Sequence, residues 1–428
     1  MKSVLRKVFV GKKLARQIFI SFLMKVLGAC SAFVLSILVA RKLGALESGS
    51  FFLSFAFITV VAAFSRIGTD SSVIRFTGEA ISEKNYSKIK SVFFKSAFLS
   101  SSVGLFVTVV IFFSSEIISS RIFGKPELEP TLRAMSLGIV GLNFLTLCSM
   151  SLQGIQKIGI SIFILNILVN VILIAVLFFL PILNADDLAI AFSFATVITS
   201  IVAIIFWVFS VRNGSGTIKW RMLFSSCLPL WLVTGMTQLT QYSGQLIAGA
   251  WVDVSEVAQL AVAQRTAFLA SFVLVAVNFV VAPRFAMLYK NNDILGLQTL
   301  AKKSVKVMLA LSLPIVIIML TAPVQIMSLF GEGFAGGGTL LQILVAGQFA
   351  NLATGPVGFL LTMSGHEKDF RNSVMVSGPI AIGLALVLIP SYGVVGAASA
   401  TSIALVIQNF FALYWVKRRL GFNTLYFW

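Results

Sequence analysis

The stretch LVARKLGALESGSFFLSFAFITVVAAFSRIGTDSSVIRF, residues 38–76, decides the fold. Two apolar runs meet at Arg41-Lys42-Leu43-Gly44. The second runs to residue 68 and carries Arg66 near its end, with Asp70 and Arg75 directly after it. A run of roughly 20 apolar residues is long enough to cross a bilayer as a helix. A charged side chain inside such a run costs at least about 2.5–3.5 kcal/mol. Something must offset Arg66, and what that is depends on the rest of the chain.

The 428 residues are 58% hydrophobic and 11% charged, with a mean hydropathy of +0.98. Soluble domains run about 45–50% apolar and about 25% charged. A water-soluble core cannot hide this much apolar surface. Continuous runs also exclude a β-barrel, whose strands alternate. The sequence therefore predicts an all-α polytopic membrane protein. The net charge of +18 does not point to nucleic acid, because the basic residues sit in short loops between apolar runs. Cys30, Cys148 and Cys227 all lie in apolar runs and read as small packing residues. The basic start MKSVLRKVFVGKKLARQ leads into a long run without a cleavage site, so an uncleaved first span is expected.

Twelve apolar runs follow in order, at 17–40, 48–68, 90–113, 132–153, 158–180, 188–209, 223–249, 257–282, 304–328, 339–363, 373–390 and 394–416. With this count, 24 of the 33 Lys and Arg residues fall on the side that holds both termini. The opposite side holds Arg41, Lys42, Arg121, Lys125 and Arg133, together with acidic loops such as LNADD and WVDVSE. The positive-inside rule makes both termini cytoplasmic.

The halves echo one another. Glu47 pairs with Glu256 and Arg75-Phe76 with Arg284-Phe285; Phe123-Gly124 pairs with Phe330-Gly331, and Gly154 with Gly365. Six spans per half give both halves the same orientation, as in parallel repeats. The expected architecture is an N-terminal six-helix bundle over 1–210 and a C-terminal one over 211–428, around a central cavity. Pro229, Pro314, Pro323, Pro356 and Pro379 fall in spans of the second half and predict kinks there.

Four cations lie inside spans: Lys25, Arg66, Lys95 and Arg265. Lys95 is near a cytoplasmic end and is expected to snorkel. Lys25 lies about 18 Å up the first span from Lys13, near mid-membrane, where it can either snorkel to the interface or face a cavity. Arg66 has two readings. It can pair with Asp70 at helical i,i+4 spacing, or it can face a cavity and await an anion. Arg265 can pair with Glu256 or Asp253 above it, or do the same. A guanidinium suits phosphate or pyrophosphate through bidentate charge-assisted hydrogen bonds. A cationic interior in an apolar chain points to an amphiphilic anion such as a lipid phosphate. Thr234, Gln238, Gln241 and Gln245 recur at helical spacing in the seventh span, as do Asn166 and Asn170 in the fifth. These amides can meet sugar hydroxyls or tie helices together.

The chain has no Walker A pattern for an ATP motor, no Cys/His cluster for a metal, and a single histidine, His366, in a loop. External loops are short, which disfavours a membrane-bound glycan polymerase or ligase, and no enzyme activity is expected.

Ala40, Arg41, Leu43, Gly44, Gly49, Gly68, Arg75 and Phe76 match a pattern of the polysaccharide-transporter branch of the MOP superfamily, which the chain resembles. Ser48 stands where that pattern often has an aromatic. SLFGEGFAGGGTLLQIL and GVVGAASATSIA resemble the same family's entries to the tenth and twelfth spans. The resemblance implies two six-helix bundles and a Wzx-type flippase of undecaprenyl-pyrophosphate-linked oligosaccharides, such as O-antigen or capsule repeats, in the bacterial inner membrane. It also implies membrane lipids as surroundings, with glycan polymerase and chain-length proteins as candidate partners. Related lipid II flippases carry cavity cations on spans one, two and eight, the spans of Lys25, Arg66 and Arg265. Relatives often have an acid near Gly244-Gln245, and its absence here leaves coupling to protons, sodium or membrane potential open. No cofactor is expected. The alternatives are a MATE-like drug/cation antiporter, which would need cavity acids, and a non-transporting scaffold of a glycan assembly complex.

Overall fold

The computed structural model describes residues 2–82, 87–211 and 217–425. Nearly all of them are helical, in the order α1 (Lys2–Ser65), α2 (Thr69–Ser82), α3 (Ser87–Ile117), α4 (Glu129–Ser136), α5 (Gly138–Gly154), α6 (Ile158–Phe163), α7 (Val169–Phe179) and α8 (Ala185–Ser210). These are followed by α9 (Trp220–Trp251), α10 (Val254–Ala270), α11 (Phe272–Lys290), α12 (Ile294–Thr321), α13 (Pro323–Ser328), α14 (Gly338–Thr354), α15 (Val357–Met363) and α16 (Glu367–Leu420). Among the described residues, eight helices are long and apolar enough to cross a membrane, or ten if two bent pairs each count as one span. The chain is a multi-pass α-helical membrane protein. Its outward side chains agree with this: Phe209 is 86% exposed and Phe179 85%, which favours hydrocarbon over water as their surroundings.

Two long helices each contain a break. The apolar part of α1, Phe19–Ser65, has 47 residues. Straight, it would reach roughly 70 Å, more than twice the hydrocarbon thickness. Gly44, at φ 76°, interrupts it where the sequence divides the first two runs. Positive φ is easy for glycine and costly for other residues, so this break needs that residue. Gly393, at φ 56°, interrupts α16 in the same way between the last two runs. Two further spans are bent. Pro126–Ser136 and Gly138–Gly154 meet at 43°, and Glu332–Thr354 and Val357–Met363 at 41°. Twelve crossings are compatible with these breaks and bends.

Several boundaries differ from the sequence reading. The second run stops at Ser65 instead of 68, because Ile67 and Gly68 both adopt positive φ. Pro229, Pro314 and Pro379 lie inside α9, α12 and α16. Pro323 and Pro356 stand at the starts of α13 and α15, where a missing N–H breaks no hydrogen bond.

By contact the chain forms two compact units, Met1–Val39 with Phe57–Gly235, and Ala40–Ala56 with Met236–Trp428. In the first, Phe93 stacks on Trp207 at 4.0 Å, and the buried indole donates to Ser151 Oγ at 2.8 Å. Leu145, Leu147, Leu152 and Ile164 close the core around them. In the second, Phe285, Leu297, Leu360, Val416 and Phe422 form an apolar cluster. There Thr424 donates to Thr354 O at 2.7 Å, meeting a carbonyl left over where α14 ends. Arg419 Nε donates to Asp369 Oδ2 at 2.7 Å and ties the two ends of α16.

Candidate functional site

Arg66 follows directly on α1. The backbone turns sharply there: Ile67 has φ 49° and Gly68 φ 70°. Positive φ at a β-branched residue is a true outlier and costs about 1–3 kcal/mol. Gly68 is required by space as well, since a Cβ there would lie 2.3 Å from Cys227 O and 2.6 Å from Trp231 N. The Trp231 indole donates to Phe64 O at 2.9 Å and fastens the end of α1 to α9. Thr69 starts α2, with its N–H donating to Arg66 O at 3.0 Å.

This turn brings Asp70 back onto Arg66. Arg66 Nε lies 3.3 Å from Asp70 Oδ2, with side chains 10% and 9% exposed. The pairing reading of Arg66 therefore holds, with one correction. The two residues are not successive turns of one helix; a left-handed turn between α1 and α2 joins them. Arg66 Nη1 donates to Asn143 Oδ1 at 3.4 Å. Asn143 is fully buried on α5, and its Nδ2 donates to Ser65 Oγ at 2.8 Å and Ser100 O at 3.4 Å. The second carboxylate oxygen of Asp70 accepts the Ser71 N–H at 2.8 Å. A buried charge is tolerable when paired and hydrogen-bonded, and this cluster supplies both. Asn143 was not singled out from the sequence. A lone asparagine in the apolar run 132–153 was the available signal, because a buried amide needs partners.

Lys25 is exposed on α1. Lys95 is half-buried, and its Nζ reaches the segment before α9, donating to Ile218 O at 2.6 Å and lying 5.2 Å from the Trp220 ring centre. The Ile218 N–H donates to Ser91 Oγ at 3.1 Å, so α3 clasps the segment before α9 from both sides of one residue. Asn166 is exposed within a widened turn, Ile164–Leu168, and its Nδ2 donates to Ile162 O at 3.3 Å. Asn170 is half-buried and its Nδ2 donates to Ser31 Oγ at 3.1 Å and Asn166 O at 2.9 Å. The fifth-span amides therefore bind α1 and their own helix, with Asn166 still open at the surface.

In the second unit Arg265 is half-buried on α10. Its guanidinium carbon lies 4.3 Å from the Phe52 ring centre and 5.5 Å from that of Phe55. Gln245 is buried and its Nε2 donates to Phe52 O at 2.8 Å, so this amide ties helices together. Gln238 is half-buried and Gln241 exposed. Phe52 and Phe55 escaped the sequence reading because the run 48–68 also holds Phe51, Phe57 and Phe64, and nothing local sets them apart. Arg41 donates from Nε to Leu329 O at 2.8 Å, joining the motif before the second span to the one before the tenth. Among the described residues no group of three His, Cys, Asp or Glu side chains is placed to hold a metal.

This fold is that of the MOP superfamily transporters. It is similar to the lipid II flippase MurJ in an inward closed conformation, with TM-score 0.76, 16% identity, and 94% of this chain and 87% of that one covered. It is similar to an inward-facing multidrug resistance MATE family transporter at TM-score 0.72 and 16% identity, covering 91% and 94%. A third likeness is to a MOP superfamily transporter from Pyrococcus furiosus, described as having a binding pocket of reverse polarity, at TM-score 0.67 and 16% identity, covering 95% of both chains. A comparison with curated proteins finds no significant match. The model of the polysaccharide biosynthesis protein family matches residues 14–289, and the chain belongs to that family.

Proposed function

We propose that this protein is a flippase that moves undecaprenyl-pyrophosphate-linked oligosaccharide units from the cytoplasmic to the outer leaflet of a bacterial inner membrane. Family membership supports a role in glycan assembly, and likeness to a lipid II flippase supports a lipid-linked cargo. Within the chain, the observation that carries the reading is Arg265. A guanidinium inside a span, half-buried and held against Phe52 and Phe55, is oriented without loss of its charge. Guanidinium binds phosphate oxygens in pairs, as a diphosphate headgroup requires. Lys25 and Arg66 are further headgroup contacts. Asn166, Asn170, Gln238 and Gln241 meet sugar hydroxyls, and Gln245 supports the aromatic bed. Six-helix halves at 1–210 and 211–428 work by alternating access, with both termini cytoplasmic as the 24-to-5 asymmetry of Lys and Arg requires. The polyprenyl tail stays in the lipid. Protons, sodium or the membrane potential supply the energy, and polymerase and chain-length proteins take over the product.

The test replaces Arg265 by Ala and follows surface glycan in a strain lacking its own flippase, with protein levels matched. Export should fall sharply; full export would sink the headgroup role. Reconstituted liposomes carrying a labelled lipid-linked oligosaccharide separate flipping from a scaffold role. Drug efflux without flipping would favour the MATE-like antiporter.

A further inference from the structure

We infer that Asp70 is a resident counter-ion, which the anionic headgroup must displace from Arg66 before that arginine can hold it. This rests on the flippase reading above and adds to it a specificity-setting residue. Arg66 has two protein partners among the described residues, Asp70 on Nε and Asn143 on Nη1. Among the described residues the third guanidinium nitrogen, Nη2, makes no hydrogen bond, so its N–H groups keep donor capacity for a ligand oxygen. The Asp70 contact is single and 3.3 Å long, where a forked pair would be shorter and doubled. Asp70 is itself held by the Ser71 N–H, so it leaves Arg66 without losing every partner. The pair is joined through Ile67 in the left-handed region, a conformation maintained only while its surroundings impose it. An arriving diphosphate offers Arg66 two oxygens in place of one. When Asp70 gives way, the side-chain ion pair across the turn between α1 and α2 is lost, and headgroup arrival is passed to residues 66–70. Empty, the pair keeps a bare guanidinium from trapping stray anions.

The experiment titrates inorganic pyrophosphate, as the probe, into the full-length protein in nanodiscs. Freeing Arg66 with Asp70→Asn should tighten binding about tenfold or more, since one charged hydrogen bond no longer competes. The apolar double variant Arg66→Met/Asp70→Leu should bind more weakly than the wild type. A folded Asp70→Asn protein with unchanged affinity overturns the inference. If that variant does not fold, the double variant decides: unchanged affinity overturns the inference and a loss supports it. Should Arg265→Ala abolish pyrophosphate binding while Asp70→Asn leaves it unchanged, this inference fails and the flippase reading stands. Absence of binding in wild type, Asp70→Asn and Arg265→Ala alike overturns both.

Discussion

Arg66 in the first unit and Arg265 in the second are both arginines within apolar spans, and their surroundings differ. Arg66 is enclosed by a carboxylate, a buried amide and a strained turn. Arg265 lies half-buried on two phenyl faces. An ion pair offsets charge and desolvation together, but it depends on both partners: losing one leaves the other buried and bare. An aromatic bed orients a cation through its ring faces and does not neutralise it. The first arginine is therefore tied to the stability of its unit, while the second is held against two ring faces.

The comparison breaks most clearly at Asp70. Asp70→Ala should cost about 3–5 kcal/mol by leaving Arg66 uncompensated, whereas Arg66→Met/Asp70→Leu should unfold near the wild-type temperature. Thermal unfolding in detergent measures both. A small loss for Asp70→Ala would mean that water reaches Arg66. Next comes Asn143→Leu, which removes an acceptor from Arg66 and donors to Ser65 and Ser100. About 1–3 kcal/mol is expected, read in the same melts. Arg265→Ala should lower stability by no more than about 2 kcal/mol while export falls, and a large drop in melting temperature would make it structural like Arg66. The smallest effect, about 0.5–1.5 kcal/mol, belongs to Lys95→Met, which gives up one hydrogen bond to Ile218 O. Faster hydrogen exchange at residues 217–219 would locate it.

Much of the fold was legible because hydrocarbon imposes a simple rule. Each crossing must be helical, apolar and of a set length, so runs of residues report spans directly. The breaks at Gly44 and Gly393 fall between runs for the same reason. Less legible were the bend that divides Glu129–Ser136 from Gly138–Gly154 and the early stop at Ser65. Both lie within apolar sequence, and packing set them. Of the candidate site, the cations could be found because charge is conspicuous in such a chain. Asn143, Phe52 and Phe55 could not, since nothing local distinguishes an amide or a phenyl ring that meets an arginine from one that does not.

The amino-acid order alone thus determined a helical membrane chain, its spans, and which side chains carry charge within them. Only the tertiary structure decided what each charge faces. Residues 66 and 70 meet because the backbone reverses hand between them, and residues 52 and 265 meet because distant helices pack. Contact across space depends on that geometry, and spacing along the chain does not encode it.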